Sequence, residues 1–179
     1  MKSVLITCIY FISIGLLNGQ NLSMQTIYNS RCKVSAIIPS HYTTYIDTLG
    51  VVMYSSLTPD SLIGGQLFIY NNYSLDSNDV LIDYMKAYNE TDTLKTIAKF
   101  MLAESKGVLI YFHISQNTSS QKSVDIGIRY PDMNTSFVSF ARIFITGNRM
   151  ILLNVFAQEC YLSQLLIAKD ECFTGLTYY

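Results

Sequence analysis

The sequence has no tryptophan, only two histidines and three prolines, and 14% charged residues. Without tryptophan, an aromatic platform for sugars is disfavoured. His41 and His113 cannot complete a three-ligand zinc site without carboxylates, which the sequence does not pair with them. His113 lies within an apolar strand and is interpreted as structural, and His41 as a solvated loop residue. The net charge of −1 and the scattered Lys and Arg argue against a nucleic-acid partner.

The motifs that mark common enzymes are also missing from this sequence. It has no G-x-S-x-G elbow, no C-x-x-C pair and no phosphate-binding glycine loop. Gly64-Gly65 is an isolated pair that indicates a strand-edge turn. Asp79, Asp83 and Glu90 surround a predicted helix and are interpreted as its solvated face. We expect no cofactor, no metal and no catalysis; the alternative is a hydrolase with an unrecognised site.

The N-terminus has the order of a secretory signal. Lys2 precedes an apolar run over residues 4–17, and small and polar residues follow at Asn18-Gly19-Gln20. The run is shorter than the roughly 20 residues that span a bilayer. Residues 1–19 are therefore predicted to be a cleavable signal, with an uncleaved anchor as the alternative. We expect an exported protein, periplasmic or extracellular, with no stable membrane insertion after cleavage.

Three cysteines remain after the predicted cleavage, and export would place them where disulfides persist. If one helix carried both Cys160 and Cys172, their separation of about 18 Å would prevent a bridge between them. The prediction is therefore a bridge from Cys32 to Cys160 or to Cys172. The absence of any bridge remains the alternative.

The rest of the chain is predicted to be a flexible leader over residues 20–30 and a single domain over residues 31–179. Gly147-Asn148 separates two strand-like runs, as expected of a tight hairpin. Residues 108–115 are predicted to form a strand whose side chains either alternate between buried and exposed or are buried on both faces. The predicted order is three strands, two helices, four strands and a closing helix. This order indicates an α+β fold, a mostly antiparallel sheet with helices packed on its faces.

Tyrosine is abundant, with 14 in the chain, and tyrosine is favoured at protein interfaces. The leading hypothesis is an exported binding module that engages a protein partner through an aromatic-rich sheet surface. Its candidate residues are Tyr42, Tyr45, Tyr54, Tyr70 and Tyr73. The alternative is that the tyrosines fill the sheet and direct their hydroxyls to water.

A second hypothesis, from another class, is a carrier of a small apolar ligand or lipid. Half of the residues are hydrophobic, and flexible methionines could line a cavity between the sheet and a helix. The methionines in question are Met53, Met85, Met101, Met133 and Met150.

The opening run Val34-Ser35-Ala36-Ile37-Ile38-Pro39 resembles the strand-then-proline start of PsbP-like domains. The hairpin strands Phe137–Thr146 and Met150–Phe156 and the closing amphipathic helix are similar to that family's element order, so the resemblance covers most of residues 31–179. It implies an α-β-α sandwich without enzymatic activity that binds a protein or an apolar segment, and it carries over no site residues. The chain departs from the pattern in lacking the tryptophan that follows the first proline, where Tyr42 lies instead. The signal ending in Gly-Gln is similar to those of exported Bacteroidota proteins.

Overall fold

The fold was analysed in a computed structural model of the chain. It describes residues 22–40, 44–48, 51–71, 95, 98, 99, 102, 106–116, 122–131, 135–146 and 149–178. The predicted signal over residues 1–19 lies outside this range. No helix in these described ranges is long and apolar enough to cross a bilayer.

Ten strands, one turn of 3-10 helix and a C-terminal α-helix are defined in the described part of the chain. The strands are β1 (Met24–Asn29), β2 (Val34–Pro39), β3 (Thr44–Thr48), β4 (Val51–Leu57), β5 (Ile63–Asn71), β6 (Val108–Gln116), β7 (Lys122–Tyr130), β8 (Phe137–Thr146), β9 (Arg149–Gln158) and β10 (Thr177–Tyr178). The 3-10 turn spans Glu159–Tyr161 and the C-terminal helix Leu162–Thr174. Lys95, Ala98, Lys99 and Leu102 are also helical.

The described strands form two antiparallel sheets. The larger has seven strands in the order β3-β4-β5-β9-β8-β7-β6, and the smaller has the order β1-β2-β10. Because side chains alternate along a strand, each face of the larger sheet carries its own apolar set. We call these sets the first core and the second core. The first core includes Leu67 and Leu153, and the second includes Phe68 and Leu152.

The smaller sheet and the C-terminal helix cover the first core. Val34, Ala36 and Ile38 alternate along β2 and are buried there, as are Leu165 and Cys172 on the inner side of the helix. Ala98 is buried in the second core, on the opposite face. The predicted α+β fold, with a mostly antiparallel sheet and helices on its faces, is confirmed.

Two predicted features of the chain's second half are also found in the structure. The strands on either side of Gly147-Asn148 are β8 and β9, and they pair in the register of a tight hairpin, with Thr146 opposite Arg149. The predicted closing helix is present as the C-terminal helix, which buries Leu165 and Phe173 and leaves Leu166 exposed.

The predicted flexible leader over residues 20–30 is wrong where the structure describes it. Residues 24–29 form β1, which pairs with all six residues of β2. The segment lacks an apolar period, so its sequence does not indicate a strand. Its order comes from the backbone hydrogen bonds that β2 offers along its edge, a tertiary influence that overrides local pattern.

The expectation that the run 108–115 alternates or is buried on both faces is also corrected. Strand β6 is the last strand of the larger sheet, and its side chains from Val108 to Phe112 are 39–56% exposed. A run of consecutive apolar residues is typical of a central strand buried on both sides. Here the same pattern occurs on an edge strand.

Candidate protein-binding surface

Two of the predicted interface tyrosines form a pair at the β3 edge of the larger sheet. Tyr45 on β3 lies directly opposite Tyr54 on β4, and their ring centroids are 5.0 Å apart with the planes tilted by 49°. Such tilted contacts between neighbouring strands stabilise a sheet as well as fixing both rings. Tyr54 is half-buried against the first core, whereas Tyr45 is 52% exposed. The Tyr45 ring is therefore exposed to solvent and packs against the half-buried ring of Tyr54.

The hydroxyl of Tyr54 is held from below by the smaller sheet. Asn29, a buried residue at the end of β1, donates from Nδ2 to the Tyr54 hydroxyl at 3.1 Å. The same side chain accepts a hydrogen bond from the backbone N–H of Cys32 at 2.8 Å. Because Asn29 bridges the β1–β2 turn and Tyr54, it sets the position of the tyrosine pair relative to both sheets.

A charged pair lies beside the exposed ring. The Tyr45 hydroxyl donates to Oδ2 of Asp47 at 3.2 Å, and Nη1 of Arg31 lies 3.3 Å from the same oxygen. Partial desolvation, and then the hydrogen bond to Asp47 and its negative charge, raise the pKa of Tyr45 above the ordinary tyrosine value. At neutral pH the hydroxyl is protonated, as tyrosine ordinarily is, and it donates to Asp47.

We call Tyr45, Tyr54, Asp47, Arg31 and Asn29 the tyrosine patch. Arg31 is 75% exposed and Asp47 35% exposed, so their ion pair is weak and can exchange for contacts with another molecule. Arginine and tyrosine are enriched among the residues that dominate binding energy at protein interfaces. In the patch, the position of Tyr54 is held by Asn29, and the exposed side chains of Tyr45 and Arg31 are of types suited to protein recognition.

The other predicted interface tyrosines do not join this patch. Tyr70 on β5 packs against the second core, on the opposite face of the sheet, where its ring stacks on Phe68 at 6.1 Å. Tyr42 and Tyr73 lie outside the described residues. The predicted five-tyrosine surface is therefore divided, and only Tyr45 and Tyr54 are seen together.

Sequence reasoning missed the polar members of the patch. Asp47 could have been found, because it lies two residues after Tyr45 on the same strand and so on the same face. Asn29 and Arg31 could not, because they belong to the segment interpreted as a leader and its boundary. Their contacts depend on how the smaller sheet lies on the larger one.

A second polar cluster ties the C-terminal helix to the other half of the larger sheet. Arg142 on β8 forms a two-pronged ion pair with Asp125 on β7, with both N···O distances at 2.7 Å. Nη1 of Arg142 also donates to the backbone carbonyl of Phe173 at 2.9 Å, and its guanidinium lies 4.6 Å from that ring's centroid. His113, opposite Asp125 in the ladder, is exposed. The contacts of Arg142 with Phe173 hold the C-terminal end of the helix against strand β8.

The predicted disulfide is not formed in the structure. Cys160 and Cys172 are both free thiols, so neither is bridged to Cys32. Cys160 is exposed in the 3-10 turn, whereas Cys172 is buried on the inner side of the C-terminal helix. Burial, with a smaller contribution from the charge of Glu171, raises the pKa of Cys172 to about 12. The two thiols differ sharply in accessibility.

The methionines of the carrier hypothesis are only partly described. Met150 is buried in the second core and Met53 packs against it, so both fill the core. Met85, Met101 and Met133 lie outside the described residues, as does His41. In the described part of the chain, no group of three His, Cys, Asp or Glu side chains is placed to hold a metal ion.

The chain is similar in structure to proteins with which it shares little sequence. No family model matches it, and no curated protein matches it. It matches the solution structure of cyanobacterial PsbP (CyanoP) from Synechocystis with a TM-score of 0.57 and 13% identity, over 93% of this chain and 99% of that one. It also matches PA94, a Pseudomonas aeruginosa protein of unknown function, with a TM-score of 0.51 and 8% identity, over 88% of this chain and 98% of that one.

These matches extend over nearly the whole of both chains, so they concern the complete arrangement of sheets and helix. The chain therefore has a PsbP-like α+β fold, as the strand-then-proline opening and the closing helix led us to expect. At this level of identity the similarity defines the fold alone, because one fold can support unrelated functions.

Proposed function

We propose that this chain is an exported, non-enzymatic binding module that engages a protein partner through the tyrosine patch. The observation that carries the proposal is the Tyr45–Tyr54 pair, which the smaller sheet supports from beneath through Asn29. Because the Tyr54 ring is already held in place by Asn29, less conformational entropy is lost when a partner binds. The signal-like residues 1–19 support export.

The exposed members of the patch suit a partner that presents a carboxylate beside an apolar side chain. Arg31 would exchange its weak pairing with Asp47 for that carboxylate, and the Tyr45 ring would cover the apolar group. The Tyr45 hydroxyl would continue to donate to Asp47, which holds the ring in its binding orientation. Binding would then add contacts without requiring the sheet to rearrange.

The test is quantitative capture of partner proteins from the native exported fraction by the wild-type protein and two variants. Tyr45→Ala removes the exposed ring and should lower partner recovery by about tenfold or more, as truncation of an interface anchor does. Tyr28→Ala is the matched control, because Tyr28 on β1 is 60% exposed and lies outside the patch.

The control variant should retain the partner at the wild-type level. Equal recovery with Tyr45→Ala and wild type would refute the role of the patch, as would loss of the partner with Tyr28→Ala alone. Recovery of the domain by itself in repeated experiments would count against a protein partner altogether.

A further inference from the structure

Basic side chains cluster at the turn between β1 and β2, beside the tyrosine patch. Arg31 and Lys33 lie on this turn and are exposed. The half-buried Arg149, at the start of β9, donates from Nη1 to the backbone carbonyl of Cys32 at 2.9 Å and so lies against the same turn. We call Arg31, Lys33 and Arg149 the basic cluster.

The basic cluster carries more positive charge than the described residues around it neutralise. Its ion pair with Asp47 involves Arg31, at 3.3 Å. Among the described residues, no carboxylate is paired with Lys33 or Arg149. Three positive charges against one negative leave two in excess, on a chain whose net charge is −1. Such a local excess attracts negatively charged partners and speeds their encounter with the surface.

The turn that carries the two exposed cations is held by hydrogen bonds to both backbone polar groups of Cys32. Its N–H donates to Oδ1 of Asn29 at 2.8 Å, and its carbonyl accepts from Arg149. Lys33 then adopts a φ of 53°, a left-handed conformation that a non-glycine residue keeps where the surrounding structure imposes it. The backbone that positions both cations is therefore in place before a partner binds, which lowers the entropy lost on binding.

We propose that the partner segment bound by the tyrosine patch is acidic, with one carboxylate that meets Arg31 and a second that meets Lys33. This inference rests on the proposed function, in which Arg31 binds one carboxylate and the Tyr45 ring covers an apolar group. It adds Lys33 as the residue that selects a second carboxylate. In an extended segment, residues i, i+2 and i+4 share a face. An apolar residue flanked on that face by two carboxylates would meet the ring and both cations.

A protein segment fits this surface better than a nucleic acid or a lipid surface does. Asp47 accepts the hydrogen bond of the Tyr45 hydroxyl within the patch, where its charge would repel closely spaced phosphates. A nucleic-acid duplex carries one negative charge per about 1.7 Å of its axis, far more than the basic cluster can neutralise. The planar guanidinium of Arg31 matches a single carboxylate, and Tyr45 adds an apolar contact.

The experiment measures the binding of two fluorescent peptides by anisotropy at low and at high salt. One peptide contains Glu-Glu-Leu-Glu-Glu and the other Gln-Gln-Leu-Gln-Gln, so that they differ in charge and keep the same apolar residue. At low salt the wild-type protein should bind the Glu peptide about tenfold more tightly than the Gln peptide. Most of this preference should be lost at about 1 M salt, where the screening length falls to about 3 Å.

Variants of Lys33 test the second carboxylate contact. Lys33→Gln should weaken Glu-peptide binding by about threefold and Lys33→Glu by about tenfold, and neither should change Gln-peptide binding. Lys106→Glu is the matched control, because Lys106 is an exposed lysine with the same φ of 53°, just before β6 at the opposite edge of the larger sheet. It should bind both peptides as the wild type does. Tyr45→Ala should weaken both peptides, and thermal unfolding checks that each variant is folded.

The outcomes separate this inference from the proposed function. Equal binding of the two peptides by the wild type, with both weakened by Tyr45→Ala, would overturn the acidic partner and leave the tyrosine patch standing. Equal effects of Lys106→Glu and Lys33→Glu would also overturn it, because the preference would then belong to the whole surface. Glu-peptide binding that Tyr45→Ala leaves unchanged would contradict the patch and the inference together. Lys33-dependent binding to phosphatidylglycerol vesicles, without Glu-peptide binding up to about 1 mM, would indicate a membrane surface and overturn the inference.

Discussion

Removing Asp125 should destabilise the protein severely, because it would leave Arg142 without its carboxylate. The Asp125 side chain is 7% exposed and that of Arg142 is 22% exposed, so the pair is largely shielded from water. Breaking a buried pair from one side costs about 3–5 kcal/mol. In the variant Asp125→Ala, Arg142 would keep its contacts with the Phe173 carbonyl and ring. We therefore expect the free energy of unfolding to fall by about 3 kcal/mol, the lower end of that range.

The assay is urea unfolding followed by circular dichroism, with thermal unfolding alongside. A loss of about 3 kcal/mol corresponds to a fall in Tm of roughly 10 °C for a domain of this size. Arg31→Ala is the matched control, since it breaks the exposed Arg31–Asp47 pair and should cost less than about 1 kcal/mol. The comparison separates the effect of burial from that of charge.

The double variant Asp125→Leu/Arg142→Met tests the reason for the loss. Replacing a whole buried ion pair by apolar residues is often neutral or stabilising, so this variant should be more stable than Asp125→Ala. Besides the ion pair, it would lose the hydrogen bond to the Phe173 carbonyl, worth about 1 kcal/mol, and the contact of the guanidinium with the Phe173 ring. An Asp125→Ala variant within about 1 kcal/mol of wild type would refute the reasoning, and so would a double variant less stable than Asp125→Ala.

Two further predictions follow from the packing and the thiols. Gly65→Ala should destabilise the protein by about 1–3 kcal/mol in the same urea assay, because its Cβ would clash with Cδ of Pro39 where β5 meets β2. Wild-type stability would contradict this packing. In native protein, a thiol reagent should modify exposed Cys160 quickly and Cys172 only after unfolding, because burial raises the pKa of Cys172 to about 12 and leaves little reactive thiolate. Peptide mapping without reduction decides this, and a linked peptide containing either cysteine would contradict the free thiols.

The β8–β9 hairpin could be predicted from sequence because its signals are local. The turn residues Gly147-Asn148 separate two runs of β-favouring residues, and the strands end where those runs end. Strand β2 was equally clear from its apolar residues and terminal Pro39. Local turn chemistry and alternation were sufficient in both cases.

Strands β1 and β10 could not be predicted in this way. Each is a strand because β2 lies beside it and supplies hydrogen-bond partners, and β10 has only two residues. Neither segment carries a hydrophobic period that distinguishes it from a loop. Their order depends on tertiary pairing, which a single-sequence pattern does not encode.

The candidate site was predicted in part for a related reason. Tyr45 and Tyr54 were both candidate interface residues, and they lie opposite each other on the adjoining strands β3 and β4. Strand register determines the face of the sheet on which each tyrosine side chain lies. Tyr54 lies opposite Leu67, so Tyr70, three residues beyond Leu67, falls on the other face.

The most direct test of the central claim is site-specific photo-crosslinking in the cells that produce the protein. A photoreactive phenylalanine analogue replaces Tyr45 in one variant and Tyr28 in another, so both probes stand on exposed strand positions. The account predicts one crosslinked partner band from position 45 and none from position 28. The same band from both positions, or a band from position 28 alone, would contradict the assignment of partner binding to the tyrosine patch.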